Sequence, residues 1–139
     1  MPQQDIYHTA VKQALIKDGW TITHDPFPIY YGTRRGYIDI GAEQETFAAT
    51  KGNQQIAVEV KNFISDSVVT DMEQALGQYL VYRSWMQRVE PARTLYLAVS
   101  DVVAVEVFED VAGRVLVDDY HLYIIVVDMQ REEIVQWIK

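Results

Sequence analysis

Glu59 and Lys61 stand two residues apart in the stretch QQIAVEVKNF, residues 54–63. Side chains along a strand alternate between faces, so Ala57, Glu59 and Lys61 share one face while Ile56, Val58 and Val60 share the other. A carboxylate beside an ammonium on so apolar a strand has two readings. One is a solvated ion pair on a half-exposed sheet face. The other is part of a metal-dependent nuclease centre. Asp39 supplies a second carboxylate from a second alternating stretch, YIDIGAE (37–43). There Ile38, Ile40 and Ala42 face one way, and Tyr37, Asp39, Gly41 and Glu43 the other.

Elements must position these residues. In DIYHTAVKQALIKD (5–18), Ile6, Ala10, Val11, Ala14 and Leu15 fall on one helical face, and Gly19 follows as a stop. WTITH (20–24) alternates as a strand, whereas DPFPIYYGTRRG (25–36), with two prolines and two glycines, predicts a loop. YIDIGAE is the second strand, ATKGNQ (49–54) a turn, and the opening stretch the third strand. Thr70 and Glu73 form a T-x-x-E capping box for a helix that runs to Val89 and stops before Pro91. RTLYLAVS (93–100) follows as a strand, which predicts a right-handed βαβ crossover. Between 101 and 121 the spacing of Val103, Val107, Phe108, Val111, Val115 and Leu116 is helical, with Gly113 as a break. LYIIVVD (122–128) is a strand, and EEIVQWIK closes a hairpin after the polar turn MQRE. The order α-β-β-β-α-β makes a mixed sheet flanked by helices, with a meander first and a fourth strand parallel to one of its members.

The chain has 139 residues, which suits a single domain, 1–139, with a proper core. It has no cysteine, and hence no disulfide framework, thiolate metal site or thiol nucleophile. No apolar run approaches the roughly 20 residues of a membrane helix, and MPQQDIYHTAVK lacks the layout of a signal peptide. A cytoplasmic protein with no membrane partner is expected. The net charge of -8 argues against tight non-specific nucleic-acid binding, which depends on Lys and Arg displacing counterions from phosphates.

Strand Asp, turn, strand Glu-x-Lys, helix is an arrangement that resembles the PD-(D/E)XK nuclease superfamily, with its restriction-endonuclease-like fold. The helix reads QALGQYLVY, and Gln74, Gln78 and Tyr82 form one stripe at a spacing of four. Gln78-x-x-x-Tyr82 is similar to the Q-x-x-x-Y element of the RecB-like branch. The resemblance implies that Asp39, Glu59 and the Val60 carbonyl are ligands of Mg2+ or Mn2+, an ion that needs few protein ligands because it keeps several waters. It further implies that Lys61 positions a water or offsets charge on the phosphate, and that Gln78 joins the catalytic set. Along the whole chain, DxxHxxVKxALxKDGWxIT, DP, YIDIGAE, IAVEVK, ALGQY and RxLYLAV resemble the XisH family, the cyanobacterial fdxN-element excision-controlling factors. Membership implies a role in programmed excision of a DNA element during heterocyst differentiation, beside a site-specific recombinase and a companion protein, XisI. The chain would then be a nuclease-like accessory factor, a Mg2+-dependent endodeoxyribonuclease acting on DNA. The alternative is a non-catalytic regulatory or binding module on the same scaffold, acting through XisI or the recombinase.

Where this chain departs from the superfamily pattern, Ile38 precedes Asp39 in place of proline. The first helix has no glutamate, with Asp5 the nearest acid. A straight hairpin turning near Gly52 would carry Asp39 beyond Lys61, so a bulge or break around GAEQE is expected. His8 reads as a polar-face helix residue, and His24 and His121 are too scattered to form a ligand set. Arg34 and Arg35 are either phosphate contacts or a solvated loop pair. Tyr79, Tyr82 and Trp85 suit packing. The acidic balance predicts an assembly, through a cationic partner or a homo-oligomer, with Trp137 and Ile138 as interface anchors if they are not core.

Overall fold

The computed structural model describes residues 3–45 and 53–139, apart from the side chains of residues 3–5 and 53. The first helix, α1 (Gln3–Lys17), buries Ala10, Val11, Ala14 and Leu15 on one face, as their spacing requires, but leaves Ile6 exposed. Gly19, at φ 92°, turns the chain into β1 (Thr21–His24).

Residues 25–36 are not a loop. β2 (Phe27–Tyr31) pairs antiparallel with β3 (Arg34–Ile38) in a two-stranded sheet of its own. Tyr31 pairs with Arg34, and Gly32 takes the first turn position at φ 59°, as a type II′ hairpin requires. Pro28 is tolerated because each strand of so small a sheet has an edge free of ladder bonds.

The main sheet holds β1, β4 (Ile40–Glu45), β5 (Asn53–Val60), β6 (Arg93–Ser100), β7 (Ile124–Asp128) and β8 (Glu133–Ile138), adjacent in that order. β1, β4 and β5 form the expected antiparallel meander. β6 is parallel to β5 and β7 to β6, and β8 closes antiparallel on β7. The long helix α2 (Val68–Val89) links β5 to β6. The expected restriction-endonuclease-like architecture is therefore present, a mixed sheet flanked by helices with an α-β-β-β-α-β core. The β2–β3 hairpin is inserted into it. Of the expected turn at 49–54, residues 49–52 lie outside the described residues, and Asn53 and Gln54 belong to β5.

Apolar clusters cover both sheet faces. On one, Ala57, Leu97 and Ile124 pack with Tyr79 and Met86 of α2 and with Phe27, Ile29 and Ile38 of the hairpin. On the other, Ile40, Ile56, Val58 and Ile125 pack with Val11 and Leu15 of α1. Ile38 and Ile40 thus lie on opposite sides, contrary to their expected shared face, because the chain bends at Asp39 between β3 and β4. The Tyr79 hydroxyl donates to the Leu95 carbonyl at 2.9 Å and accepts from the Tyr123 N–H at 3.2 Å, which pins α2 to the sheet.

Three further expectations are corrected. The cap of α2 is Ser67, whose Oγ accepts from the Thr70 N–H at 3.1 Å, so Thr70 and Glu73 do not form the capping box. Trp137 packs against Tyr96 and Trp20, with ring centroids 5.1 and 5.9 Å away, and Ile138 packs on the core, so both are half-buried core members rather than free apolar residues. Gly113 does not break the late helical region, which comprises α3 (Asp101–Val103), a π-helical turn (Ala104–Phe108) and α4 (Val111–Tyr120).

Gly113 instead lets α4 touch the π-helical turn, since a Cβ there would lie 1.8 Å from the Val107 carbonyl oxygen. Gly113→Ala is therefore expected to destabilise the fold by about 1–3 kcal/mol, the usual cost of overpacking. The reading is a lower urea midpoint at unchanged m; a wild-type midpoint would mean that the turn yields freely.

Candidate functional site

β4 and β5 pair in straight register, from Ile40 opposite Val58 to Glu45 opposite Asn53. One more step puts Asp39 level with Glu59, on the face shared by Gly41 and Ala57. No bulge in GAEQE is needed. The expectation of one came from centring the turn near Gly52, three residues later than the register allows. The break lies at Asp39 itself, and there the two acids interlock. The Asp39 N–H donates to Glu59 Oε1 at 3.2 Å, and the Val60 N–H donates to Asp39 Oδ2 at 2.8 Å.

Lys61 is the first residue beyond β5, held by its N–H to the Ala98 carbonyl at 3.0 Å. Asp39, Glu59, Val60, Lys61, Gln74 and Gln78 all line one cavity of about 700 Å3. It lies at the carboxyl end of the parallel strand β5, where open α/β sheets commonly bind ligands. Tyr82, the third member of the helix stripe, lies behind the wall. Its ring packs so closely that a Cβ on Gly36 would come within 2.6 Å of it. Burial, and then the charge of Glu59, push the Tyr82 hydroxyl above its ordinary pKa.

Several residues of the cavity had no sequence signal. Asn62 follows Lys61 and lines the wall, as do Tyr7 and Tyr37. The Asn62 Nδ2 and Gln78 Oε1 atoms are buried without a hydrogen-bond partner, a state that costs about 1–3 kcal/mol per group. His8 also lines the cavity, with Nε2 2.7 Å from Asp25, which in turn accepts from Lys12 at 2.8 Å. His24 packs on Phe27, and His121 caps α4 far along the chain. The Asp5 side chain lies outside the described residues.

The donor set fits a hard divalent cation. Asp39 and Glu59 each commit one oxygen to a main-chain N–H and keep the other, and the Val60 carbonyl is adjacent in sequence. Oxygen donors without imidazole or thiolate suit Mg2+ or Mn2+. Among the described residues no group of three or more His, Cys, Asp or Glu side chains converges, so such an ion would keep several waters.

The Glu59 carboxyl is only 4 % exposed. Burial pushes its pKa up, the neighbouring Asp39 carboxylate adds to this, and Lys61 offsets only part, leaving it at about 8. A carboxyl whose folded pKa exceeds its unfolded value stabilises the fold below the unfolded pKa, and that stability is lost as pH rises through the folded one. Thermal stability is therefore expected to fall between about pH 5 and pH 9, and Glu59→Gln to flatten that fall. A wild-type profile as flat as the variant's would mean that Glu59 titrates normally.

The XisH protein family model matches residues 1–135 of this chain. The crystal structure of an XisH family protein from Nostoc punctiforme superposes with a TM-score of 0.88 at 36% identity, covering 97% of this chain and 100% of that one. That of an fdxN element excision controlling factor protein from Anabaena variabilis gives 0.87 at 38% identity, covering 97% and 99%. No curated protein matches. A family model spanning nearly every residue, and two relatives that share more than a third of their residues with it, place this chain in the XisH family.

Proposed function

We propose that this chain controls excision of a DNA element, the role for which its Anabaena variabilis relative is named, and that it acts as a metal-dependent, nuclease-like factor. One observation supports the chemistry above all others: Asp39 and Glu59 are opposed across β4 and β5, with Lys61 on the same cavity. Asp39, Glu59 and the Val60 carbonyl would hold Mg2+ or Mn2+. Such an ion, when bound, polarises a phosphodiester oxygen and makes water a better nucleophile.

The chain's own groups then have separate tasks. The Val60 N–H fixes Asp39 so that its second oxygen stays available. Lys61 orients the attacking water or offsets charge growing on the phosphate, a task that needs an ammonium close to the reacting group. Gln78 offers an unpartnered acceptor, Oε1, to a water or a substrate donor.

A second reading is supported by the charge of -8. In it the scaffold is a non-catalytic regulatory module that binds an XisI-like companion or a recombinase. Cleavage of DNA substrates with Mg2+ or Mn2+, with and without XisI, separates the two. Under the first reading the wild type cuts, Asp39→Ala does not, and Lys61→Ala loses about 10²–10³ in rate, the usual cost of removing one charge-stabilising group. Absence of cutting in every arm, from a folded protein, would leave the binding module.

A further inference from the structure

The outer face of the β2–β3 hairpin carries side chains that no core uses. Pairing sets Tyr30 opposite Arg35 and Pro28 opposite Tyr37, so alternation puts these four on one face. Ile29 and Ile38 on the other face are buried. Tyr30 is 57% exposed and Tyr37 49%, a large aromatic surface to leave in water. The Arg35 guanidinium lies over the Tyr37 ring, 5.3 Å from its centroid. Tyr37 also lines the cavity of Asp39 and Glu59, so the face runs to the mouth of the site.

Charge marks the same hairpin. Most described arginines serve their own fold. Arg83 donates to the Tyr120 and His121 carbonyls, Arg93 lies between Glu43 and Glu90, and Arg131 pairs with Asp128. Arg34 and Arg35 are exposed neighbours and, like Arg114 of α4, neither is held in an ion pair or a side-chain hydrogen bond among the described residues. An acidic chain thus leaves Arg35 free on the face that Tyr37 carries to the cavity.

We propose that this face is an entry platform for single-stranded DNA: bases stack on Tyr30 and on the Arg35–Tyr37 pair, Arg35 meets a phosphate, and the strand leads into the cavity. The proposal rests on the nuclease-like reading and names its substrate as an unpaired strand. Aromatic and guanidinium planes take up bases only when those bases are free of a duplex stack. A duplex binder relies on roughly 6–10 phosphate contacts, and one arginine falls well short of that. Each stacked base adds roughly five- to a hundredfold in affinity, without needing net positive charge. Stacking is therefore the contribution this face can make.

The test is fluorescence anisotropy in EDTA, with labelled oligothymidylate, a blunt duplex of the same length, and oligouridylate. Oligothymidylate is expected to bind at least about tenfold tighter than the duplex, with a shallow salt slope of about -0.7, for one phosphate. Tyr30→Ala is expected to weaken binding about fivefold or more at an unchanged urea midpoint, Tyr30→Phe to bind as the wild type does, and Arg35→Gln to flatten the salt slope. Duplex or oligouridylate binding as tight as that of oligothymidylate would overturn the proposal, as would an unaffected Tyr30→Ala. So would a dimer that Tyr30→Ala dissociates and that binds no oligonucleotide, since the face would then be a contact between copies. Binding in EDTA is independent of cleavage. Single-strand binding without any cleavage would leave the platform and remove the nuclease reading; Mg2+-dependent duplex cutting without single-strand preference would do the reverse.

Discussion

An exchange of two hydrogen bonds between main chain and carboxylates organises the site. The chain joins the β4 ladder only after Asp39, where the hairpin ends, so the Val60 N–H meets no β4 carbonyl. Asp39 supplies a side-chain acceptor in its place, and its own N–H is taken by Glu59. Satisfying a buried N–H does not require charge. An asparagine or serine at 39 would offer a neutral acceptor and spare the fold the repulsion that helps raise Glu59 to about 8. The second negative charge is therefore more than the β4–β5 junction needs, and it is this excess that calls for a functional account. A proton or a cation would relieve it.

The sequence showed these residues more clearly than it showed their surroundings. Strand parity correctly put Ala57 and Glu59 on the α2 face, because alternation is a local property of extended backbone. The level of Asp39 against Glu59 was misjudged because register depends on where the chain reverses, and Gly52 was a misleading marker. The hairpin was read as a loop for a related reason. Its prolines and glycines are ordinary loop punctuation, while its strands are short and alternate exposed tyrosine and arginine with buried Phe27, Ile29 and Ile38. Gly32 starts a two-residue turn, a signal that Gly-Thr carries weakly beside Asn-Gly or Asp-Gly. Ser67 caps α2 in place of the expected Thr70, since the cap is the residue at which the chain turns into the helix, and its Oγ meets the free Thr70 N–H. The unpartnered Asn62 and Gln78 atoms could not be foreseen, since hydrogen-bond satisfaction is a tertiary property.

Helix α2 shows how a core residue sets the position of a site residue. Tyr79 is fully buried, with hydrogen bonds to Leu95 of β6 and to Tyr123 just before β7, and Ala75 and Met86 bury the same face. These contacts fix the rotation of the helix about its axis. Gln74 and Gln78, each one position before a buried residue, are thereby brought to the cavity rim. The hairpin is held by the same helix, because Tyr82 packs on Gly36 and Tyr31 stacks on Trp85, with ring centroids 6.4 Å apart. The wall that bears Tyr37 and the wall that bears Gln78 are thus both referred to α2, and a shift of that helix would move them together.

The distribution of charge bears on how an anion could reach such a site. A net charge of -8 gives a far field that repels phosphate, so long-range steering cannot deliver a nucleic acid to this face. What remains is short-range. Arg34 and Arg35 act within about 8 Å at physiological salt, the Debye length, and Lys61 lies deeper, beside the carboxylates. A strand would be repelled at a distance and gain only once it touches the hairpin. Slow association would follow from that profile, and a partner that raises local concentration would offset it. Both agree with a factor that acts inside an assembly, at one place on DNA, and both oppose indiscriminate cutting of free duplex.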